Sequence, residues 1–318
     1  MLNRRILRIK AFKVLFSYAE NPSMTLSEAE SCLETSCEAV RSLYLFMLAI
    51  IPSLTKEAAA RIELARGKFH PTEEERNPNM KFAENGIAPL LENDPDLAKL
   101  LSRRKLSWES HDAFIRDTFD SMSRKDYYQR YMSDPSRSLA ADASLFMKMF
   151  EEEFVESETL AEILEEMSIW WNDDLAYALS FCRDTMKSLS KGQRWELPPL
   201  YRSEMLSPKP AESDKAFVIK LLRTSYLCYD KYFPLVASSV EQWKEDRLFT
   251  TDTVLIIMGL SEAKAFPALP VKVTINEYVE ISKYYSTPKS RSFVNGLLDR
   301  LLKRLIEEGE IVKTGDFA

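Results

Sequence analysis

The sequence predicts an all-α protein. Three observations carry that prediction. Leu, Ala, Glu, Lys, Arg and Met dominate a chain of 318 residues that holds only 7 glycines. Apolar residues recur at i, i+3 and i+4 over most of its length, and the period-two alternation of β-branched residues that marks strands is hard to find. The length allows one large or two ordinary domains with a substantial core. A hydrophobic content of 45% beside 29% charged residues is normal for a globular chain in water. The net charge of −6 offers no overall attraction to nucleic acid, so any such site must be a local basic surface.

Residues 3–20 form the first predicted helix, with Ile6, Ile9, Val14, Leu15 and Phe16 leaving few positions polar. Its cations are Arg4, Arg5, Arg8, Lys10 and Lys13, against Glu20 as the one anion. Two readings stand side by side. The long side chains can lay their stems on a core and keep their heads in solvent. Alternatively, positive charge gathered at a helix N-terminus opposes the macrodipole and calls for an external anion. A second helix starts near Thr25, where Thr-Leu-Ser-Glu to Glu28 makes a capping box, and runs through Cys32, Leu33 and Val40. A third, apolar helix covers residues 42–51, far too short to span a bilayer, and Pro52 stops or kinks it. Residues 54–66 continue as an amphipathic helix, and the charged, proline-bearing stretch 67–80 is an exposed loop.

Residues 82–137 read as shorter helices broken by Pro89, Pro95 and Pro135. Within them Trp108, Phe114, Phe119, Tyr127, Tyr128 and Tyr131 form an aromatic series interleaved with Arg and Lys. Such a series either stacks single-stranded RNA bases or fills the core and rim of a helical domain. The stretch 145–174 is acidic, running from Glu151 to Asp174 against Lys148 alone. It is either a solvated helix face or a surface for a basic partner such as a ribosomal protein. Trp170-Trp171-Asn172-Asp173-Asp174 reads as a core anchor and cap before a helix over 175–189. Residues 193–213 carry four prolines and no periodicity, the mark of a linker crossing a surface. Two further helices follow at 214–236, with Phe217, Leu221, Leu222, Tyr226 and Tyr229 on its buried side, and at 249–266.

Residues 271–305 read as two helices with a break at Ser286, Thr287 and Pro288. Thr274 and Glu277 have capping-box spacing at the start of the first. The second carries Phe293, Val294, Leu297, Leu298, Leu301, Leu302 and Leu305 on one face. Asn295-Gly296 interrupts that pattern. Gly there costs about 1 kcal/mol against Ala, which a close helix–helix approach explains.

The phrases INE-x-VE-ISK and SRS-FVNG-LLD resemble the C-terminal signature of the NusB family of bacterial transcription antitermination factors. The first helix is similar to the family's arginine-rich helix: Arg4, Arg5 and Arg8 match its arginines, and Leu15-Phe16 matches its Leu-aromatic ending. Three departures stand out. Lys13 occupies a position where the family often has Gln, Leu255-Ile256-Ile257-Met258 replaces a Leu-Arg-Ile-Ala pattern, and Lys289 replaces an acidic residue, with Arg291 adding charge. The resemblance covers residues 2–20 and 214–305. It implies NusB-like helical bundles, two packed three-helix-type bundles, with an additional helical insertion. The domains would be 1–41, the insertion 42–213, and 214–318, although 42–66 resembles the family's third helix about as well as 214–236 does. It further implies binding of a BoxA-like single-stranded RNA through Arg4, Arg5, Arg8, Lys10 and Lys13, joined by Lys289 and Arg291 if the two helix starts lie together. The implied partners are the ribosomal protein NusE and the RNA polymerase elongation complex. Some family members also form a homodimer through the RNA-binding face.

Catalytic signatures are missing. His70 and His111 have no Cys or carboxylate at ligand spacing, and no phosphate-binding glycine loop, nucleophile elbow or glycine-rich methyltransferase half occurs. The reading is a non-enzymatic protein without cofactor or metal. Cys32, Cys37, Cys182 and Cys228 form no C-x-x-C pair and suit reduced thiols in the cytosol. The N-terminus lacks the separate apolar core of a signal peptide, so a cytoplasmic protein without a membrane segment is expected. The alternative function is a helical interaction scaffold with lost or altered RNA binding, whose acidic insertion recruits a basic protein.

Overall fold

The computed structural model describes residues 1–210, 212–241 and 249–314, apart from the side chains of residues 240 and 241. Among these residues the regular structure is helical. The order is α1 (Arg4–Glu20), α2 (Leu26–Leu48), α3 (Ile50–Arg66), α4 (Glu73–Arg76), α5 (Ile87–Glu92), α6 (Pro95–Arg104), α7 (Asp112–Arg124) and α8 (Asp126–Ser133). It continues with α9 (Leu139–Glu152), α10 (Glu158–Met167), α11 (Leu175–Leu189), α12 (Asp214–Glu241), α13 (Thr250–Ala265), α14 (Val271–Tyr285) and α15 (Ser290–Glu307). The chain divides into two compact units. One is residues 38–198 with Met1, and the other joins residues 2–37 to 199–318. The changeover between Cys37 and Glu38 falls inside α2.

The capping box at Thr25 forms as read: Glu28 accepts from the Thr25 N–H and hydroxyl, and the Thr25 hydroxyl accepts from the Glu28 N–H. The helix it starts does not stop near Val40. With no breaker in the run, α2 continues to Leu48, and the interruption sits at Ala49. Pro52 neither ends nor kinks it. It lies in the first turn of α3, where a missing N–H costs no helical hydrogen bond. Pro95 likewise begins α6, with Asp94 as its cap. By length and composition the run 26–66 is long and apolar enough to cross a membrane, yet 61% of its most apolar stretch is buried inside the protein.

The 38–198 unit is built on stacked aromatic rings. Phe46 lies on Trp108 at 4.0 Å and on Trp171 at 5.5 Å between centroids, and Trp108 stacks on Phe114 at 5.5 Å. The Trp108 indole N–H donates to the Phe46 carbonyl at 2.8 Å, so the ring is anchored as well as buried. Phe119, Tyr128 and Tyr131 are buried too. The aromatic series of 107–131 is therefore core. Tyr44 adds a buried polar hub, 2.8 Å from the Thr185 hydroxyl and accepting from the Trp195 indole at 2.9 Å. Trp195 thereby pins the start of 193–213 into this unit, where the sequence read a surface linker. On α10, Leu160 and Leu164 face inward, while Glu158, Glu162, Glu165 and Glu166 are exposed.

In the other unit α13 is buried on every side and packs against α1, α12, α14 and α15. Leu255, Ile256, Ile257 and Met258, where the family pattern includes an Arg, are fully buried. A close approach occurs on this helix: a Cβ on Gly259 would stand 2.6 Å from Leu298 Cδ2. Leu298 lies two residues beyond Gly296, which is itself half-buried. The start of α15 is tied to α13 by Asp252, whose carboxylate accepts from the Ser286 and Ser290 hydroxyls at 2.6 and 2.7 Å. Leu2 is held to the 200–202 segment, donating to the Leu200 carbonyl at 2.6 Å and accepting from the Arg202 N–H at 2.9 Å.

Candidate nucleic-acid interface

Asn3 starts α1 by accepting the Ile6 N–H at 3.0 Å, and Leu7, Ala11, Val14 and Leu15 bury its apolar face. The helical spacing puts Arg4 and Arg8 on one face, both over the Phe217 ring, with Arg5 turned aside, and each meets a different carboxylate of the same unit. Arg4 donates to Asp214 at 3.2 Å and lies over the Phe217 ring at 4.6 Å. Arg8 holds Glu262 in a two-point pair at 2.7 and 3.0 Å, with the side chains 4% and 0% exposed. Arg5 makes the same fork onto Glu277 at 3.0 and 2.8 Å, but these side chains are 50% and 19% exposed. The anions that the macrodipole argument sought outside the chain are its own Asp214, Glu262 and Glu277.

Glu262 is the centre of a buried network. The Thr274 and Tyr278 hydroxyls donate to it at 3.0 and 3.2 Å, in addition to the Arg8 fork. Burial opposes the charge on Arg8, and Glu262 outweighs it by Coulombic attraction and hydrogen bonding, so the guanidinium pKa lies above its ordinary value. Burial, reinforced by Glu262, pushes the Tyr278 phenol well up. This network corrects the predicted capping box at Thr274 and Glu277. The helix is capped four residues earlier, at Pro270, which places Thr274 inside the first turn with its hydroxyl on Glu262 and leaves Glu277 to Arg5.

The remaining candidates separate by burial. Lys10 is 1% exposed, inside the unit with Arg8. Lys13 is half-buried, with its ammonium 5.7 Å from the centre of the Tyr285 ring. Lys289 and Arg291 are exposed at the start of α15. Arg5 and Arg291 meet electrostatically at Glu280. The hydrogen bond from Lys283 is the main cause of that carboxyl's lowered pKa, and both arginines add to it. Lys13 lies by Tyr285 and Lys283 holds Glu280 near the exposed end of α14, Arg5 holds Glu277 about two turns earlier, and Arg8, which also reaches Glu277, is buried as Lys10 is. Tyr284, 80% exposed, belongs to the same stretch.

Sequence reasoning missed Tyr284, Lys283 and the three carboxylates. One signal was readable: Glu262 is a lone acid in the apolar run of α13, and an acid buried there needs a partner. The arrangement is a basic face, partly neutralised by Glu277 and Glu280, beside an exposed aromatic ring. It can hold phosphates and stack a base. Among the described residues no group of three or more His, Cys, Asp or Glu is arranged to hold a metal ion.

A family model described as "NusB family" matches residues 184–303. The chain carries a NusB-family region. Glu262, Glu277, Tyr284, Lys289 and Arg291 fall inside that NusB region, and the arginines of α1 lie outside it. The transcription antitermination protein NusB of Salinibacter ruber is 33% identical over 103 residues, 32% of this chain and 64% of that protein. The protein of the same name from Methylacidiphilum infernorum is 46% identical over 68 residues, 21% of this chain and 48% of that protein. That of Thermodesulfovibrio yellowstonii is 34% identical over 92 residues, 29% of this chain and 61% of that protein. The chain thus spans between about half and somewhat under two thirds of these relatives, and most of its own length lies outside the matches. No solved structure gives a significant match.

Proposed function

We propose that the protein is a non-enzymatic, cytoplasmic RNA-binding factor of transcription antitermination. It binds a BoxA-like single-stranded RNA together with the ribosomal protein NusE at an elongating RNA polymerase. One coincidence carries the reading: the NusB region contains the exposed Lys283, Tyr284, Lys289 and Arg291, with Lys13 of α1 beside Tyr285 and Arg5 of α1 on Glu277 of the same α14. Charge on phosphates with one base on an aromatic ring is how single strands are held without duplex grooves. Burial divides the candidate residues by role. Arg5, Lys13, Lys289 and Arg291, with Lys283 and Tyr284, contact RNA, Arg4 supports the rim, and Arg8 and Lys10 hold α1 in place. The part of residues 38–198 that precedes the family match at 184 is an insertion into the NusB-type domain, a reading supported by the second unit being made of the two segments that flank 38–198.

A fluorescence-anisotropy titration of a BoxA-like RNA, with and without NusE and at two salt concentrations, tests this. The expected result is binding that NusE strengthens and salt weakens, with a log–log slope of roughly −0.7 per phosphate contacted. Absence of binding in all four conditions sinks it and leaves the scaffold reading. That second reading has one observation in its favour: residues 151–174 hold ten carboxylates and no cation.

A further inference from the structure

The three arginines of α1 hold their carboxylates to very different degrees. The Arg8–Glu262 pair is sealed, and two hydroxyls complete the shell of the carboxylate. Nothing from solvent can replace Glu262 without opening the core. Arg4 is bound at once to Asp214, to the Glu212 carbonyl at 3.4 Å and to the Phe217 ring. Asp214 is in turn fixed by accepting the Ser203 N–H at 2.8 Å. Arg5 differs: its guanidinium is half exposed, and Glu277 supplies both oxygens of the fork.

A carboxylate held by a guanidinium fork has the geometry a phosphate would take, two oxygens on two parallel N–H donors. Glu277 therefore occupies the position an RNA phosphate needs at Arg5. The second contact of that carboxylate is Arg8, at 3.6 Å. A phosphate arriving at Arg5 thus leaves Glu277 with an alternative cation rather than stranding it. Exposed ion pairs of this kind are weak, so exchange is easy.

We infer that Glu277 is an intramolecular stand-in for RNA phosphate, which sets the affinity of this face by competing for Arg5 and is displaced onto Arg8 when RNA binds. The inference rests on the RNA-binding reading above and adds to it a residue that opposes binding. Poorly charged or non-nucleic ligands do not displace Glu277, so the contact also raises the selectivity of the face for polyanions. Glu280, held by Lys283 and sensed by Arg5 and Arg291, provides a second negative charge in the same place.

The test uses the full chain as wild type, Glu277→Gln, Arg5→Ala and the double variant, titrated into a fluorescein-labelled single-stranded BoxA-like RNA at several salt concentrations. Glu277→Gln keeps the size of the side chain and removes its charge, and circular dichroism with a thermal melt checks that the fold is intact. Competition predicts that Glu277→Gln tightens binding about two- to five-fold, the factor by which a surface ion pair competes. The salt slope stays the same, because the Arg5–phosphate contact forms in both proteins, whereas Arg5→Ala lowers it by about 0.7, one phosphate contact. The gain in affinity vanishes in the Arg5→Ala background, because the released group is absent. Equal or weaker binding by Glu277→Gln overturns the inference, as does a gain that survives Arg5→Ala. If wild type binds and only the Glu277 effect is missing, the RNA reading stands alone. If neither wild type nor Glu277→Gln binds, both readings fall.

Discussion

The two units of this chain treat charge differently. Residues 38–198 hold twenty-one Lys and Arg against twenty-nine Asp and Glu, a net charge of −8. Residues 2–37 and 199–318 hold twenty-two against twenty, a net charge of +2. In the acidic unit the buried charges Lys81 and Asp142 are held by backbone groups and the Tyr131 phenol rather than by each other, and the polar hub beside the stacked rings is the neutral set Tyr44, Thr185 and Trp195. The near-neutral unit runs an ion pair through its centre, with Arg8 on Glu262 beneath Thr274 and Tyr278. A neutral hub needs only its hydrogen bonds satisfied. A buried ion pair must also answer the desolvation of two charges, so losing one partner is far worse than losing a hydroxyl. One unit presents acid to solvent, and the other has a surplus of cations to arrange.

The largest expected effect comes from Glu262→Ala. It strands a buried guanidinium and two hydroxyls and should destabilise the protein by about 3–5 kcal/mol, read by urea denaturation with far-UV circular dichroism. Replacing both charges, as in Arg8→Met with Glu262→Leu, should recover most of that loss. Tyr44→Phe should cost about 1–3 kcal/mol, because Thr185 and the Trp195 indole each lose a buried partner. Tryptophan fluorescence follows it well, since four of the five tryptophans (Trp108, Trp170, Trp171 and Trp195) lie in 38–198. If Tyr44→Phe proves as costly as Glu262→Ala, the contrast between the two centres fails. The smallest effect is at the surface, where Glu277→Gln should change stability by less than about 1 kcal/mol. Its pH dependence has a definite sign. The hydrogen bond from Arg5 is the main cause that lowers the Glu277 pKa from 4.5. The Glu277 contribution is therefore present above pH 4.5 and is lost as pH falls through the lower folded-state value. The stability gap between wild type and Glu277→Gln should close only in that acid range, which acid titration at fixed urea will reveal.

The helical class was legible because composition and periodicity agree along almost the whole chain, and the NusB resemblance was legible in the short run from Ile275 to Asp299. What escaped depends on partners far away in sequence. Thr274 and Glu277 satisfy the local rule for a capping box, and a tertiary demand from Glu262 and Arg5 overrides it. The cations of α1 read as one cluster because sequence shows charge without direction. Only the fold separates Arg5 at the surface from Arg8 and Lys10 inside. Boundaries were subject to the same limit. The sequence puts them at 41/42 and 213/214, while the compact units change over at 37/38 and 198/199. Trp195 holds to Tyr44, and Leu200 pairs with Leu2.

The pairings of α1 have a consequence for how the protein is made. Arg4 reaches Asp214, Arg8 reaches Glu262 and Arg5 reaches Glu277 across 210, 254 and 272 residues. At synthesis rates of about 5–20 residues per second, α1 leaves the ribosome roughly 10–50 s before Glu262 does. Residues 38–198 are contiguous and emerge complete within that interval, so they can fold first. The first helix made is then among the last to find its place, and until then it is a basic segment with no carboxylate to hold.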